Sequence, residues 1–101
     1  MADRTMGLVI GTREVSPAEF EGEVVKLVHS YLHNAESFRS ILDRYGATSP
    51  DDLERRISEG KLPEHPTYEE YLEALARLDV MRSSLEDLRR VLGVLETEIP
   101  R

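Results

Sequence analysis

The chain has 101 residues, 20 acidic against 13 basic side chains, a formal net charge of −7 and no cysteine. One small domain is the expectation at this length, and disulfides and thiolate metal sites are excluded. The only basic pairs, Arg55-Arg56 and Arg89-Arg90, stand beside Asp51, Asp52 and Glu54 or Glu86 and Asp87, so the charge balance argues against nucleic acid as a partner.

Residues 1–15 read as an N-terminal arm or tail ahead of a helical domain spanning residues 16–101. Within it, Met6-Gly7-Leu8-Val9-Ile10-Gly11 is a short β-type run between glycines, followed by polar Thr12-Arg13-Glu14. Two readings stay open: a poorly ordered tail, or a strand that packs on or exchanges with a neighbouring subunit. A lone strand cannot satisfy its own backbone groups, so an ordered one needs a partner edge. Leu8-Val9-Ile10 is too short for a signal peptide's apolar core or a membrane span, and a soluble cytoplasmic protein without membrane contact is expected.

Caps announce three helices. Ser16-Pro17-Ala18-Glu19 is a capping box with Pro at the first helical position, and the helix it opens should run to Gly46, where Gly accepts the left-handed conformation. Ser49-Pro50-Asp51-Asp52 repeats the start signal and Gly60 supplies the stop. Thr67, with Glu70 three residues on, opens the third helix after a stretch held extended by Pro63 and Pro66, and Pro100 marks its end.

The two long helices each carry a heptad stripe. On the first it is Val24, Val28, Tyr31, Ala35, Phe38, Leu42 and Tyr45. On the third it is Tyr71, Ala74, Leu78, Met81, Leu85, Leu88, Leu92, Leu95 and Ile99. At 1.5 Å per residue both helices are roughly 43–46 Å long, so they predict an antiparallel hairpin closed by the short middle helix. Phe20, Leu27, Leu32 and Ile41 flank the first stripe, and Leu72, Leu75, Val91 and Val94 the second. That apolar width exceeds what a two-helix seam covers. The expected fold is therefore all-α: a long antiparallel helical hairpin with a short connecting helix, forming a coiled-coil-like helical bundle by dimerisation. The residues expected to carry association are Tyr68, Tyr71, Leu75, Leu78, Met81, Leu85, Leu88, Val91, Leu92, Leu95, Phe20 and Leu27.

Candidate chemistry is sparse. His29, His33 and Glu36 share one helical face at i, i+4 and i+7, a spacing compatible with half a metal site, although polar residues bordering a packed stripe have the same spacing. Glu69-Glu70-Tyr71-Leu72-Glu73 resembles the Glu-Glu-x-x-Glu string of MazG-type nucleotide pyrophosphohydrolases, helical dimers in which it binds magnesium. That resemblance implies a small metal-dependent all-α hydrolase, though the family's downstream Glu-x-x-Asp does not follow Glu73. The long-short-long helical order is similar to the all-α chorismate mutase fold, in which Arg39, Arg82 and Arg89 would have to serve as carboxylate-binding cations inside the bundle. No catalytic residue and no cofactor is expected. Arginines bordering a bundle are explained by snorkelling.

Tyr45-Gly46-Ala47-Thr48-Ser49-Pro50-Asp51-Asp52-Leu53-Glu54-Arg55-Arg56-Ile57, continuing through Gly60-Lys61-Leu62-Pro63 to Tyr68-Glu69-Glu70-Tyr71, resembles small acidic helical prokaryotic proteins, many uncharacterised and some antitoxin-like. The resemblance covers about a third of the chain. It implies a non-catalytic protein–protein interaction module, an antitoxin-like or adaptor subunit that self-associates as a homodimer and binds a partner protein such as a toxin.

Overall fold

The structure, a computed structural model, describes residues 8–10 and 13–97. Its elements are β1 (Leu8–Ile10), β2 (Arg13–Val15), α1 (Pro17–Tyr45), α2 (Pro50–Ser58) and α3 (Thr67–Thr97). Ile99 and Pro100, together with residues 1–7, 11 and 12, lie outside the described residues. No helix among the described residues is long and apolar enough to cross a membrane.

The caps act as their residue types dictate. The Ser16 hydroxyl accepts from the Glu19 amide at 3.2 Å. Gly46, at φ 61°, lets the Ala47 amide reach back to the Leu42 carbonyl at 2.9 Å. Ser49 accepts from the Asp52 amide at 3.0 Å while Asp52 accepts from the Thr48 amide at 3.0 Å, so α2 starts with a reciprocal pair. The Thr48 amide is the main influence holding the Asp52 carboxyl below the usual carboxylate range, with Arg55 and Arg56 adding to it.

α1 and α3 run antiparallel for their full length. Arg44 pairs with Glu70 at the closed end, Arg77 donates to Asn34 at 3.1 Å and the Ser84 hydroxyl donates to Ser30 at 3.0 Å. Phe20 meets Val91 at the open end. The result is a rod with extents of 72 × 23 × 21 Å and a radius of gyration of 19.7 Å, where a compact chain of this length would have about 13 Å.

Each end of the rod has its own plug. At the closed end α2 drives Leu53, 0% exposed, against Ile41, Tyr71 and Ala74. At the open end β1 and β2 pair antiparallel, with Leu8 opposite Val15, and both side chains are buried on Phe20 and Val91. The partner edge that β1 needs thus comes from the chain itself. Arg13-Glu14-Val15, of which the sequence marks Arg13 and Glu14 only as polar, supplies it.

The seam differs from the heptad expectation. Between the two apolar clusters it is polar: Asn34 and Ser84 are buried, and Asn34 also donates to the Ser30 carbonyl at 2.7 Å. On the second half of α3 the buried positions are Ser84 and Val91, one residue ahead of Leu85 and Leu92, and Leu92 is 40% exposed. Ser84 finds Ser30 and Val91 finds the β-hairpin, and neither partner is visible in the spacing of apolar residues. This polar layer fixes the register, because sliding the helices would leave Asn34 buried without its bond to Arg77.

α3 begins at Thr67 as the sequence suggests, but Thr67 is its first helical residue and not its cap. It is 0% exposed, while the Tyr68 and Glu70 amides bond to the Glu64 and Pro66 carbonyls. Its hydroxyl is buried with no hydrogen-bond partner. Replacing Thr67 with the near-isosteric Val is expected to stabilise the fold by about 1 kcal/mol. A higher urea midpoint at unchanged slope would register that gain; an unchanged or lower midpoint would refute it.

Candidate interaction surface

The expected association residues fall into two groups. Phe20 and Val91 are buried in the open-end plug, with Leu27 packed against it. Tyr71 is buried in the closed-end cluster, with Leu75 against it. These five pack largely within the chain, Phe20, Tyr71 and Val91 buried and Leu27 and Leu75 half-buried. The others remain accessible: Leu78, Met81, Leu85 and Leu88 are half-buried, and Tyr68, Leu92 and Leu95 are 43%, 40% and 40% exposed.

The accessible group forms one flank. Leu78, Leu85 and Leu92 recur at intervals of seven along α3. Opposite them on α1, Val28, Tyr31, Ala35 and Phe38 are half-buried. A cleft of about 390 Å³ joins the two rows, lined by Tyr31, Ala35, Phe38 and Leu42 of α1 and Met81 of α3, with Arg39 and Asp43 at its edge. Among the described residues, the β-hairpin packs on Phe20 and Val91, with Val24 and Leu27 against that cluster, at the open end of the rod.

Toward the closed end the same side of α3 runs into a second cleft, of about 380 Å³, between Glu54, Ile57, Ser58, Glu64, Tyr68, Tyr71, Leu72 and Leu75. The rings of Tyr68 and Tyr71 stand 5.9 Å apart, tilted by 36°. The Tyr71 hydroxyl donates to Glu54. That bond, with burial, pushes the phenol up to about 12, so it stays a donor at neutral pH. Tyr68 and Tyr71 were identifiable from sequence as aromatic anchors. Glu54 and Glu64 were not, because α2 and the following loop bring them in from outside the third helix.

The candidate catalytic groups are not brought together. His29, His33 and Glu36 are all exposed, on the side of α1 turned away from α3. Glu70 accepts from Arg44 and Tyr45, Glu73 pairs with Arg77 at 3.3 Å and Glu69 with His65 at 2.6 Å. The Glu69 backbone amide, and after it His65, hold the Glu69 carboxyl below its usual range. Each carboxylate of the Glu69-Glu70-x-x-Glu73 string thus has its own protein partner. Among the described residues no group of three His, Asp or Glu side chains converges on a point. Arg39, Arg82 and Arg89 are exposed and border the flank, outside the seam.

No curated protein and no solved structure matches the chain. A family match spans residues 18–99, which takes in nearly all of α1, the whole of α2 and all of α3 but excludes the β-hairpin. The chain belongs to the Uncharacterized protein MJ0235 family.

Proposed function

We propose that this chain is a non-catalytic protein–protein interaction module that pairs with a second copy through the apolar flank of its hairpin, completing a four-helix, coiled-coil-like bundle in the cytoplasm. The paired form acts as an adaptor or antitoxin-like subunit, masking a partner protein whose basic surface is drawn by the −7 net charge.

One observation carries this reading. The leucine row of α3 and the facing row of α1 are only half-buried, while the chain spends its β-hairpin and α2 on plugging the two ends. A strip about 40 Å long on a rod 23 Å across offers on the order of 800 Å² per copy, the size of a standard stable interface. Leaving that much apolar surface in water is costly for a monomer.

Molar mass in solution tests the proposal. Light scattering across micromolar concentrations is expected to return twice the 11.5 kDa chain mass. A folded particle of single-chain mass throughout that range would overturn it.

A further inference from the structure

We propose, resting on self-association through the flank, that the acidic–aromatic cleft at the closed end is the seat of Arg89 from a second copy, so that the two hairpins pack flank to flank and head to tail.

Two twofold arrangements bring the flanks together. In one the closed ends lie side by side, and each α1 covers the partner's α3. In the other the closed end of each hairpin meets the open end of its partner, and the two α3 helices cross antiparallel to each other. Charge and spacing select between them.

Among the described residues, Lys26, Arg39, Arg82 and Arg89 are the cations without an ion pair; every other described Lys or Arg has an acidic partner. Arg82 and Arg89 share the leucine side of α3: Arg82 follows Leu78 by four, and Arg89 follows Leu85 by four. The carboxylates of Glu54 and Glu64, both exposed and both lining the cleft, likewise have no ion pair among the described residues. On α3 the unpaired cations therefore sit along the middle and open half of the flank, with Arg39 of α1 nearer the closed end, and the unpaired anions of the cleft lie at the closed end itself. Side-by-side packing would bring four such carboxylates together with only Arg39 of each α1 near them, and would leave Arg82 and Arg89 of both copies away from any of these carboxylates. Head-to-tail packing joins opposite charges twice.

The spacing agrees. Arg89 lies eighteen residues beyond Tyr71, about 27 Å along the helix, and the midpoint between them adjoins Met81, which lines the central cleft of the flank. A twofold axis through that midpoint places each Arg89 level with the partner's Tyr71. The cleft suits a guanidinium in particular. Two tilted tyrosine rings present faces for stacking, Leu72 and Leu75 take the aliphatic stem, and Glu64 with the free edge of Glu54 offers oxygen acceptors.

Charge reversal tests the seat, with dimer dissociation measured by concentration-dependent light scattering. R89E and E64R, both at exposed positions, are each expected to weaken the dimer by about tenfold or more, and the R89E/E64R double variant to recover to within about threefold of the original chain. An R89E dimer as tight as the original would overturn the seat. The orientation has a separate test, because the chain lacks cysteine. Mixed E64C and R89C chains under oxidation are expected to give the crossed disulfide. A disulfide between two E64C chains would overturn the head-to-tail arrangement while leaving self-association intact. A chain that stays monomeric would overturn self-association itself, and this seat with it.

Discussion

Substituting Leu85 with Glu is expected to yield a folded, fully helical protein of single-chain mass. Leu85 is half-buried and lies on the flank, while the adjacent Ser84 makes the seam contact to Ser30. The hairpin therefore has little to lose from a carboxylate at this position. A dimer has much to lose, because the carboxylate would be drawn between two leucine rows with only the exposed Arg82 and Arg89 within a turn of it. Even partly compensated by those arginines, a carboxylate moved into a dry seam costs about 1.4 kcal/mol or more, which weakens association by tenfold or more. Ser83→Glu is the matched control, since Ser83 is exposed on the opposite side of α3; its mass should stay that of the dimer. Light scattering with far-ultraviolet circular dichroism reads both quantities. A Leu85→Glu chain that dimerises like the original would remove the flank from the interface.

The placement of Leu85 shows where sequence reading succeeds here and where it stops. The helix limits were legible because their determinants are local: a hydroxyl, a proline and a carboxylate within four residues begin α1 and α2, and a glycine at positive φ ends α1. Antiparallel pairing followed from two long helices of matched length. The rotation of the seam was hidden, because Ser30, Asn34 and Ser84 are polar, and a hydrophobic repeat passes over buried polar groups that satisfy one another. β2 was hidden for a related reason. Arg13-Glu14-Val15 has one apolar side chain, and its strand form depends on pairing with β1 and on Phe20 and Val91 beneath. The aromatic half of the closed-end cleft was legible as Tyr68 and Tyr71. Its acidic half required the fold, since Glu54 precedes Tyr71 by seventeen residues and reaches it only because α2 turns back on the hairpin.

Shortening Leu53 to Ala is expected to cost about 3 kcal/mol of folding stability, the typical loss for a buried leucine whose site collapses only in part. Leu53 is 0% exposed and is the one buried residue of α2. Nine residues make a helix too short to persist in water alone, so this side chain, with Ile57 beside it, keeps α2 seated on Ile41, Tyr71 and Ala74. The effect should be local before it is global. Amides of α2 would exchange with solvent much faster in Leu53→Ala, while those around the Ser30–Ser84 layer would keep their protection until the whole hairpin unfolds. Because α2 carries Glu54, loosening it would also open one wall of the closed-end cleft and weaken the dimer. Leu85→Glu, by contrast, breaks the dimer with α2 in place. Urea unfolding and amide exchange on the two variants separate these effects. A Leu53→Ala chain with unchanged midpoint and a protected α2 would mean that the closed end is held by something other than this leucine.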